Sequence, residues 1–566
     1  MVQSPSIPVL IVGAGPTGLT LAIELARRTI PFRLIDRDAR RSETSRAIGT
    51  QARTVEVFRI MGIPEAALQP AVWPRALRFA ERERTLARIP FDPAPGSEPR
   101  LLSMKESDTE RVLDERLAQL GGRIEQRTEL TAFRIKGDRV VATVVSPDGE
   151  AQVEARFLVG ADGAHSTVRR LAGIGYEGVS YPERFLLADI DIDWELSHDE
   201  GHVWIGNDDL VAVIPLPGEH RYRIIAPLPP EQATREYESE AAIAGAAETL
   251  LRQRSGVALR RIGDPVWASA FRIHRRQATR YREGPVFLAG DAAHVHSPVG
   301  GQGMNTGIQD AFNLGWKLAQ AVRGIAAPGL LDTYQDERHP IARGVLLGTH
   351  LGTRLVLARN PLMEAFREYV IPTAVSVPPV RRRFLAAISQ LGVGYRDSPL
   401  SVGAEEKSRW GHLRHDAGIR PGERVPDALL TDAVSGEDGS LFELISRGWT
   451  LLLFPGANPA PPRIAAVDEL ARLVRETVDG EVRSYAVLDT RQGPGHNSDS
   501  AVLLDPIGEA TRLFSPDQGA VALIRPDGYL GYRGMVDRPG ELVSYLARVF
   551  AMRLREPASV TQSRPG

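Results

Sequence analysis

Residues 9–12, Val-Leu-Ile-Val, run straight into Gly13-Ala14-Gly15-Pro16-Thr17-Gly18, and a helical pattern of apolar residues follows at Leu19, Ala22, Ile23, Leu25 and Ala26. A second apolar run, 32–35, ends at Asp36. A G-x-G-x-x-G turn between a strand and a helix constrains the chain more than any other feature, because it dictates a β–α–β unit. Gly13 permits the tight turn, Gly15 lets a pyrophosphate approach the backbone, and Gly18 lets the helix pack on the strand. A diphosphate placed there meets free N–H groups and the positive end of the helix. Asp36, followed by Arg37, stands where a ribose hydroxyl would be received. By itself the turn does not separate FAD from NAD.

At 566 residues the chain exceeds what one core supports, so several domains are expected. Its formal net charge of −2 offers no global field for nucleic acid or an anionic membrane. The basic residues are almost all Arg, which in a chain rich in Ala, Gly and Pro reads as codon bias from a GC-rich genome rather than nucleic-acid recognition. The absence of cysteine excludes disulfides, thiolate metal sites, iron–sulfur clusters and Cys-X-X-Cys relays. No signal peptide and no apolar run long enough to span a membrane is legible, which predicts a cytoplasmic protein.

From 76 to about 100 periodicity fades, and Pro90, Pro93, Pro95 and Pro99 punctuate a loop-rich excursion. A helix is expected over 107–121 and strands near 130–135, 139–145 and 151–159, with Asp148-Gly149 as a hairpin turn. Between 180 and 279 short strands predominate, interrupted by one helix over about 231–254. Parallel-sheet character returns at 285–289, ahead of a helix near 304–322 and a helical stretch over 330–395. After Pro399, apolar strands at 451–454, 484–488 and 521–524 alternate with helices at 464–477 and 540–553.

A second segment separates the two dinucleotides. Phe287-Leu288-Ala289-Gly290-Asp291-Ala292-Ala293-His294 places an Asp at the end of an apolar strand, far downstream of the glycine turn. A carboxylate there can hold the ribityl chain, which FAD has and NAD lacks. The chain continues into Pro298-Val299-Gly300-Gly301-Gln302-Gly303-Met304-Asn305, whose glycines leave N–H groups free ahead of a helix. Such a nest suits the flavin N1–C2=O edge, where negative charge collects on reduction, and the helix end contributes about 0.3–2 kcal/mol. In a third segment, Gly160-Ala161-Asp162-Gly163-Ala164-His165-Ser166-Thr167-Val168-Arg169, a strand ends and a helix begins. Read alone, Asp162-Gly163 is as readily a structural helix cap as a binding turn.

In this order and spacing the three segments resemble the single-component, class A flavoprotein aromatic hydroxylases, which include para-hydroxybenzoate, phenol and polyketide hydroxylases and antibiotic-inactivating monooxygenases. The likeness covers residues 7–345 and continues more weakly into a C-terminal domain that looks like the redox-dead thioredoxin-like domain of longer members. It implies an α/β fold with a Rossmann-like FAD-binding domain (1–75, 100–180 and 280–350) and an inserted, mostly-sheet α+β substrate domain (76–99 and 181–279). A helical connector (351–399) and a thioredoxin-like α/β domain (400–566) would follow.

The resemblance also implies roles. Asp162 and Gly163 would serve both FAD and a transient NADPH or NADH donor, with His165 and Arg169 contacting the nicotinamide. Arg46 would reach the FAD phosphates, and Leu130 would touch adenine through its backbone. Gly290 and Asp291 would hold the ribityl chain; Pro298 would lie beside the flavin ring. Gly300, Gly301, Gly303, Met304 and Asn305 would form the pyrimidine-edge nest. Two positions depart from the pattern: Glu106 stands where many relatives carry Gln, and Ile48 where some phenol-type relatives keep a His that deprotonates the substrate. No catalytic base is therefore named.

The chemistry implied is reduction of FAD by NAD(P)H, addition of O2 at flavin C4a, and delivery of oxygen from the hydroperoxide to a phenolic or polycyclic ring. Baeyer–Villiger oxidation or epoxidation of a polyketide or antibiotic-like substrate is the alternative, and a non-enzymatic binding protein a more distant one. The expected partners are a small aromatic substrate and O2, without nucleic acid or membrane, in a monomer or homodimer. Elsewhere, His294 and His296 could mimic a metal pair, but no set of carboxylates or Cys is expected to complete a site. For His202, His220 and His274, surface or packing roles outweigh pocket lining, and Trp204, Trp267 and Phe271 suit sheet core as well as a pocket.

Overall fold

The computed structural model describes residues 6–41, 47–91, 101–205, 210–228, 232, 236–296, 301–357, 374, 377–403, 418–456, 461–489, 501–514 and 519–551. The chain divides into two compact units, Met1–Trp316 with Tyr334–Gly394, and Lys317–Thr333 with Tyr395–Gly566.

In the first unit the run at 9–12 becomes strand β1 (Ile7–Val12), which turns through the glycines into helix α1 (Pro16–Ala26) and returns as β2 (Phe32–Ile35). β1 pairs in parallel with β2 on one side and with Gly149–Gly160 on the other, and Val286–Leu288 lies parallel beyond that. Val9, Leu10 and Ile11 are fully buried, as a parallel strand covered on both faces requires. The register aligns Val12 with Ile35 and Gly160, and Gly160 with Leu288. All four strands therefore end at one edge, and the three glycine-bearing segments leave from it side by side. Ligands in open parallel sheets bind at this carboxyl edge.

A nine-stranded sheet occupies the other half of this unit, with the long strand Tyr176–Asp193 paired antiparallel to Arg221–Pro227 and to Trp267–Ala278. One of its faces packs on the helix Glu240–Ser255 through Leu186, Ala188, Trp204, Tyr222, Ile224 and Leu251. That helix begins later than its apolar pattern suggests, because the Ser239 side chain accepts from Ala242 N and caps it. The excursion expected from 76 onward is instead a hairpin, Ala76–Glu81 with Arg84–Pro90, at the edge of this sheet. Edge strands tolerate charge, and Arg78, Glu81, Arg84 and Arg88 mask the alternation. The turn expected at Asp148-Gly149 also shifts: Gly149 already pairs with Ser146, leaving Pro147-Asp148 as the two-residue connection.

The second unit carries an eight-stranded sheet. Trp449–Phe454, the helix Pro461–Thr477 and Val482–Asp489 form a parallel β–α–β unit. A hairpin, Ala520–Ile524 with Leu530–Gly534, pairs antiparallel on the other flank of Trp449–Phe454, and the helix Pro539–Val549 follows. Among the described residues no helix is long and apolar enough to cross a membrane.

Candidate functional site

The three glycines of the first turn answer to different demands. Gly13 sits at φ +101°, and a Cβ on it would stand 2.4 Å from the Ala161 carbonyl oxygen. A Cβ on Gly18 would stand 1.9 Å from the Gly13 oxygen. These two are required by the protein's own packing. Gly15 is not: a Cβ there would meet only Glu110 Oε1, at 3.9 Å. A bare, uncrowded backbone at the N-cap of a helix is what a diphosphate needs for close approach. Asp36 Oδ2 accepts from Ala14 N at 2.6 Å and Oδ1 from Asp38 N at 2.9 Å, which fixes the carboxylate at the rim of the turn. Thr128 N donates to Asp36 O at 2.8 Å and brings the strand of Leu130 alongside; the Leu130 side chain is buried, so only its backbone is on offer.

The second segment is anchored from behind. Gly290 lies at φ +62° with Thr17 Oγ1 2.5 Å from where its Cβ would be, so the turn at Gly290 presses directly on α1. Its N–H donates to Asp310 Oδ2 at 3.1 Å. Asp310 also receives His294 Nε2 and Arg338 Nε, each at 2.7 Å, and all three side chains are buried. His294 is thus committed to a carboxylate, and among the described residues no His, Asp or Glu cluster suits a metal ion. Asp291, on the 3-10 turn Gly290–Ala292, is exposed at the sheet edge.

The helix Gly303–Arg323 starts beside it. Thr306 N donates to Gln302 O, so the N–H groups of Gly303, Met304 and Asn305 precede the helical ladder. The Asn305 side chain is fully occupied: Oδ1 accepts from Gln51 N at 2.8 Å, and Nδ2 donates to Gly49 O and Gly301 O, both at 2.7 Å. It braces the pocket, leaving its backbone N–H for a ligand. Gln390, at φ +59°, adds a second brace through Gln302 and through Thr306 Oγ1 at 3.1 Å. No motif announces Gln390, whereas an acid on the buried face of an apolar helix is a signal that could have found Asp310.

In the third segment the Asp162 carboxylate is engaged with the helix that follows it. Asp162 Oδ1 accepts from Ser166 Oγ at 2.5 Å and Oδ2 from Thr167 N at 2.7 Å, so the carboxylate caps the helix Thr167–Leu171. Gly163, at φ +76°, keeps open space beside it. Arg169 donates to Ala292 O at 2.9 Å and Ala164 O at 2.8 Å, and its guanidinium lies 3.8 Å from the Tyr176 ring centre. Tyr176 Oη donates to Asp291 O at 3.0 Å. Arg169 and Tyr176 together staple the third segment to the second. Burial lowers the pKa of Arg169 and raises that of Tyr176.

Arg169 also borders a cavity of about 550 Å³ with Arg37, His165, Arg170, His274 and Arg276. Burial, then the positive charge of Arg276, holds His274 below the usual imidazole value. Glu106 and Ala47 exchange two bonds: Glu106 N donates to Ala47 O at 3.0 Å, and Ala47 N to Glu106 Oε2 at 3.1 Å. Its carboxylate is therefore a positioning acceptor. Ile48 is buried beside it. Arg46, Pro298 and Gly300 lie outside the described residues. Of the aromatic candidates, Trp204 is core, and Trp267 lies against the Arg223 guanidinium at 4.9 Å. His202 packs against Trp194 and Trp204.

An uncrowded Gly15, carboxylates at two strand ends (Asp36 half-buried, Asp291 exposed) and a glycine-rich helix start fit a flavin dinucleotide. Residues 6–349 match the family described as FAD binding domain. The chain is 36% identical to 6-methylpretetramide 4-monooxygenase of Streptomyces rimosus, over 93% of this chain and 90% of that one. It is 35% identical to pentachlorophenol 4-monooxygenase of Sphingobium chlorophenolicum, over 96% of each. A solved ternary complex of aklavinone-11 hydroxylase with FAD and aklavinone superposes with a TM-score of 0.75 at 26% identity, covering 97% of this chain and 99% of that one. The chain belongs to the FAD-binding-domain family and, within it, to the class A FAD-dependent aromatic monooxygenases.

Proposed function

We propose that the protein uses O2 and NADPH or NADH to hydroxylate a phenolic substrate with several fused rings. The observation that carries this is the convergence of Gly15, Asp36 and Asp291 on one sheet edge, with the helix that starts at Gly303 held to the Gly290 turn through Asp310. FAD supplies the redox and oxygen chemistry when bound there. Gly13, Ala14, Gly15 and Gly18 would cradle its diphosphate, Asp36 the ribose and Leu130 the adenine. Asp291 would hold the ribityl chain, and Gly301, Gly303, Met304 and Asn305 would turn backbone N–H groups to the pyrimidine edge.

The substrate side is supported by the sheet face that Glu240–Ser255 does not cover. Phe79, Ile205, Ala212, Ile214, Ile225 and Phe271 share it and are each half-buried. Strands about 4.8 Å apart spread these side chains over a width on the order of 20 Å, more than one phenol ring needs. Arg223 and Asp189 lie on the same face as a buried bidentate pair at 2.6 and 2.7 Å, which keeps it rigid. Ser103 Oγ donates to Pro215 O at 2.5 Å, tying this sheet to the segment that Asn305 braces. An apolar roof beside the flavin edge excludes water from the reacting ring.

The cationic cavity at Arg37, His165, Arg170 and Arg276 would receive the phosphates of the nicotinamide donor. We also read the second unit as thioredoxin-like, on its β–α–β unit, hairpin and closing helix; without cysteine it has no thiol chemistry. Incubation with donor, isotopically labelled O2 and a panel of phenols and aromatic polyketides tests the function. Incorporation of one labelled atom without ring opening is expected. Flavin reoxidation that yields only free peroxide with every substrate would count against it.

A further inference from the structure

The helix Glu106–Gln119 packs on α1 and presents Glu110 to the glycine turn, with Oε1 3.9 Å from the position a Cβ on Gly15 would occupy. This is the gap through which the FAD diphosphate must reach the backbone. A carboxylate and a diphosphate cannot share that gap without strong repulsion, since both are anions in a partly dehydrated space. Among the described residues, two of the three charges acting on Glu110 share its sign. Glu106 lies one turn back on the same helix and Asp36 faces Glu110 from the end of β2. Arg41 opposes them but is itself paired with Asp114. The first turn of α1, Pro16-Thr17-Gly18, carries no charged residue.

We propose that Glu110 contacts the FAD diphosphate as a neutral acid, donating its carboxyl proton to a phosphate oxygen, so that cofactor loading takes up a proton from solvent. The proposal rests on FAD binding at the glycine turn. No covalent bond changes: water or buffer supplies the proton, the carboxylate becomes a carboxylic acid, and a hydrogen bond replaces a repulsion. In the apoprotein, burial first, then Glu106 and Asp36, hold the Glu110 carboxyl up at about 7, against the pull of Arg41. Proton uptake is then required above that pH and is already complete below it. The diphosphate stays ionised throughout this range, so the dependence belongs to the protein.

Titrating apoprotein with FAD and following the quenching of flavin fluorescence tests this from about pH 6 to pH 8.5. The wild-type dissociation constant should be flat at the acid end and rise up to about tenfold per pH unit above neutrality. Glu110→Gln, which keeps a donor but no titration, should bind with a constant affinity across the range and more tightly than wild type at the alkaline end. Calorimetry of the wild type in two buffers of different ionisation enthalpy should report close to one proton taken up at about pH 8. A pH-independent wild-type affinity with no proton uptake, or a Glu110→Gln protein that keeps the slope, would overturn the proposal. If the variant does not fold, the wild-type proton count decides. Failure to bind FAD at any pH would overturn the cofactor assignment itself, and this proposal with it.

Discussion

Asp310 and Arg338 meet at 2.7 Å with both side chains sealed from solvent, and the other oxygen of Asp310 holds His294 and the Gly290 N–H. One carboxylate therefore ties the helix Thr333–Leu357 to the turn that carries Asp291. Breaking a buried pair by removing one charge costs about 3–5 kcal/mol, because the remaining charge stays buried. Asp310→Asn should lower unfolding stability by that amount in a denaturant titration. Retention of wild-type stability would show that the network is dispensable.

The same group carries an acid dependence. Burial pushes the Asp310 carboxyl upward, but Arg338 and His294 prevail and hold it below its ordinary value of 3.8. A depressed carboxyl contributes stability that is present above its unfolded pKa and is lost as pH falls through the folded one. The wild type should lose stability steeply below about pH 4, and Asp310→Asn should show a shallower slope there.

The two glycines that bracket Pro16-Thr17 should fail differently. Gly15 has φ −72°, which any residue adopts, and a Cβ there would make only ordinary contact, with Glu110 Oε1 at 3.9 Å. Gly15→Ala should leave the thermal midpoint of the apoprotein unchanged while weakening FAD binding by about 1–3 kcal/mol, roughly 5- to 150-fold. Gly18→Ala drives a methyl into the Gly13 carbonyl and should destabilise the apoprotein itself. Flavin fluorescence and thermal unfolding, measured on both variants, separate the two outcomes.

These contrasts mark where sequence reading reaches and where it stops. The β1–α1–β2 unit was legible because a fully buried parallel strand must be an uninterrupted apolar run and its turn must be glycine. The edge hairpin at 76–90 was not, because exposure lets arginines replace the alternating apolar residues. Asn305 was legible as a position but not in its role: its partners Gly49 and Gln51 lie far away in the chain, and only the folded sheet brings them together. The cap formed by Asp162 was not legible either, because its partners Ser166 and Thr167 are identified only once the turn is folded. Gln390 gave no local signal at all, since it acts from a loop through a side chain inserted behind the helix start.

The sheet face opposite the helix Glu240–Ser255 makes a further prediction. Ile225 is half-buried on the face opposite Ile224, which sits in the core, so trimming it should spare the fold. Ile225→Ala should lower kcat/KM for a fused-ring substrate by about 1–3 kcal/mol, roughly 5- to 150-fold, with FAD retention unchanged. Equal losses on a single-ring phenol and a fused-ring substrate would argue against a broad roof.

The cationic cavity can be tested apart from the flavin. Arg170 is exposed on the helix Thr167–Leu171 and donates to Thr167 Oγ1 at 3.0 Å, away from the Asp162 cap, so removing it should leave that cap intact. A charge-assisted bond to a phosphate is worth about 1.5–3 kcal/mol, so Arg170→Ala should raise the KM for the nicotinamide donor roughly 10- to 150-fold. If donor phosphates dock there as proposed, the reduction rate at saturating donor should change little, because the reacting ring is held elsewhere. Donor affinity in the wild type should fall with added salt, and that dependence should weaken in the variant. Arg169→Ala should behave otherwise: it frees the Ala164 and Ala292 carbonyls and should impair FAD retention as well as donor binding. An Arg170→Ala protein with a wild-type KM and an unaltered salt dependence would move donor docking to another surface.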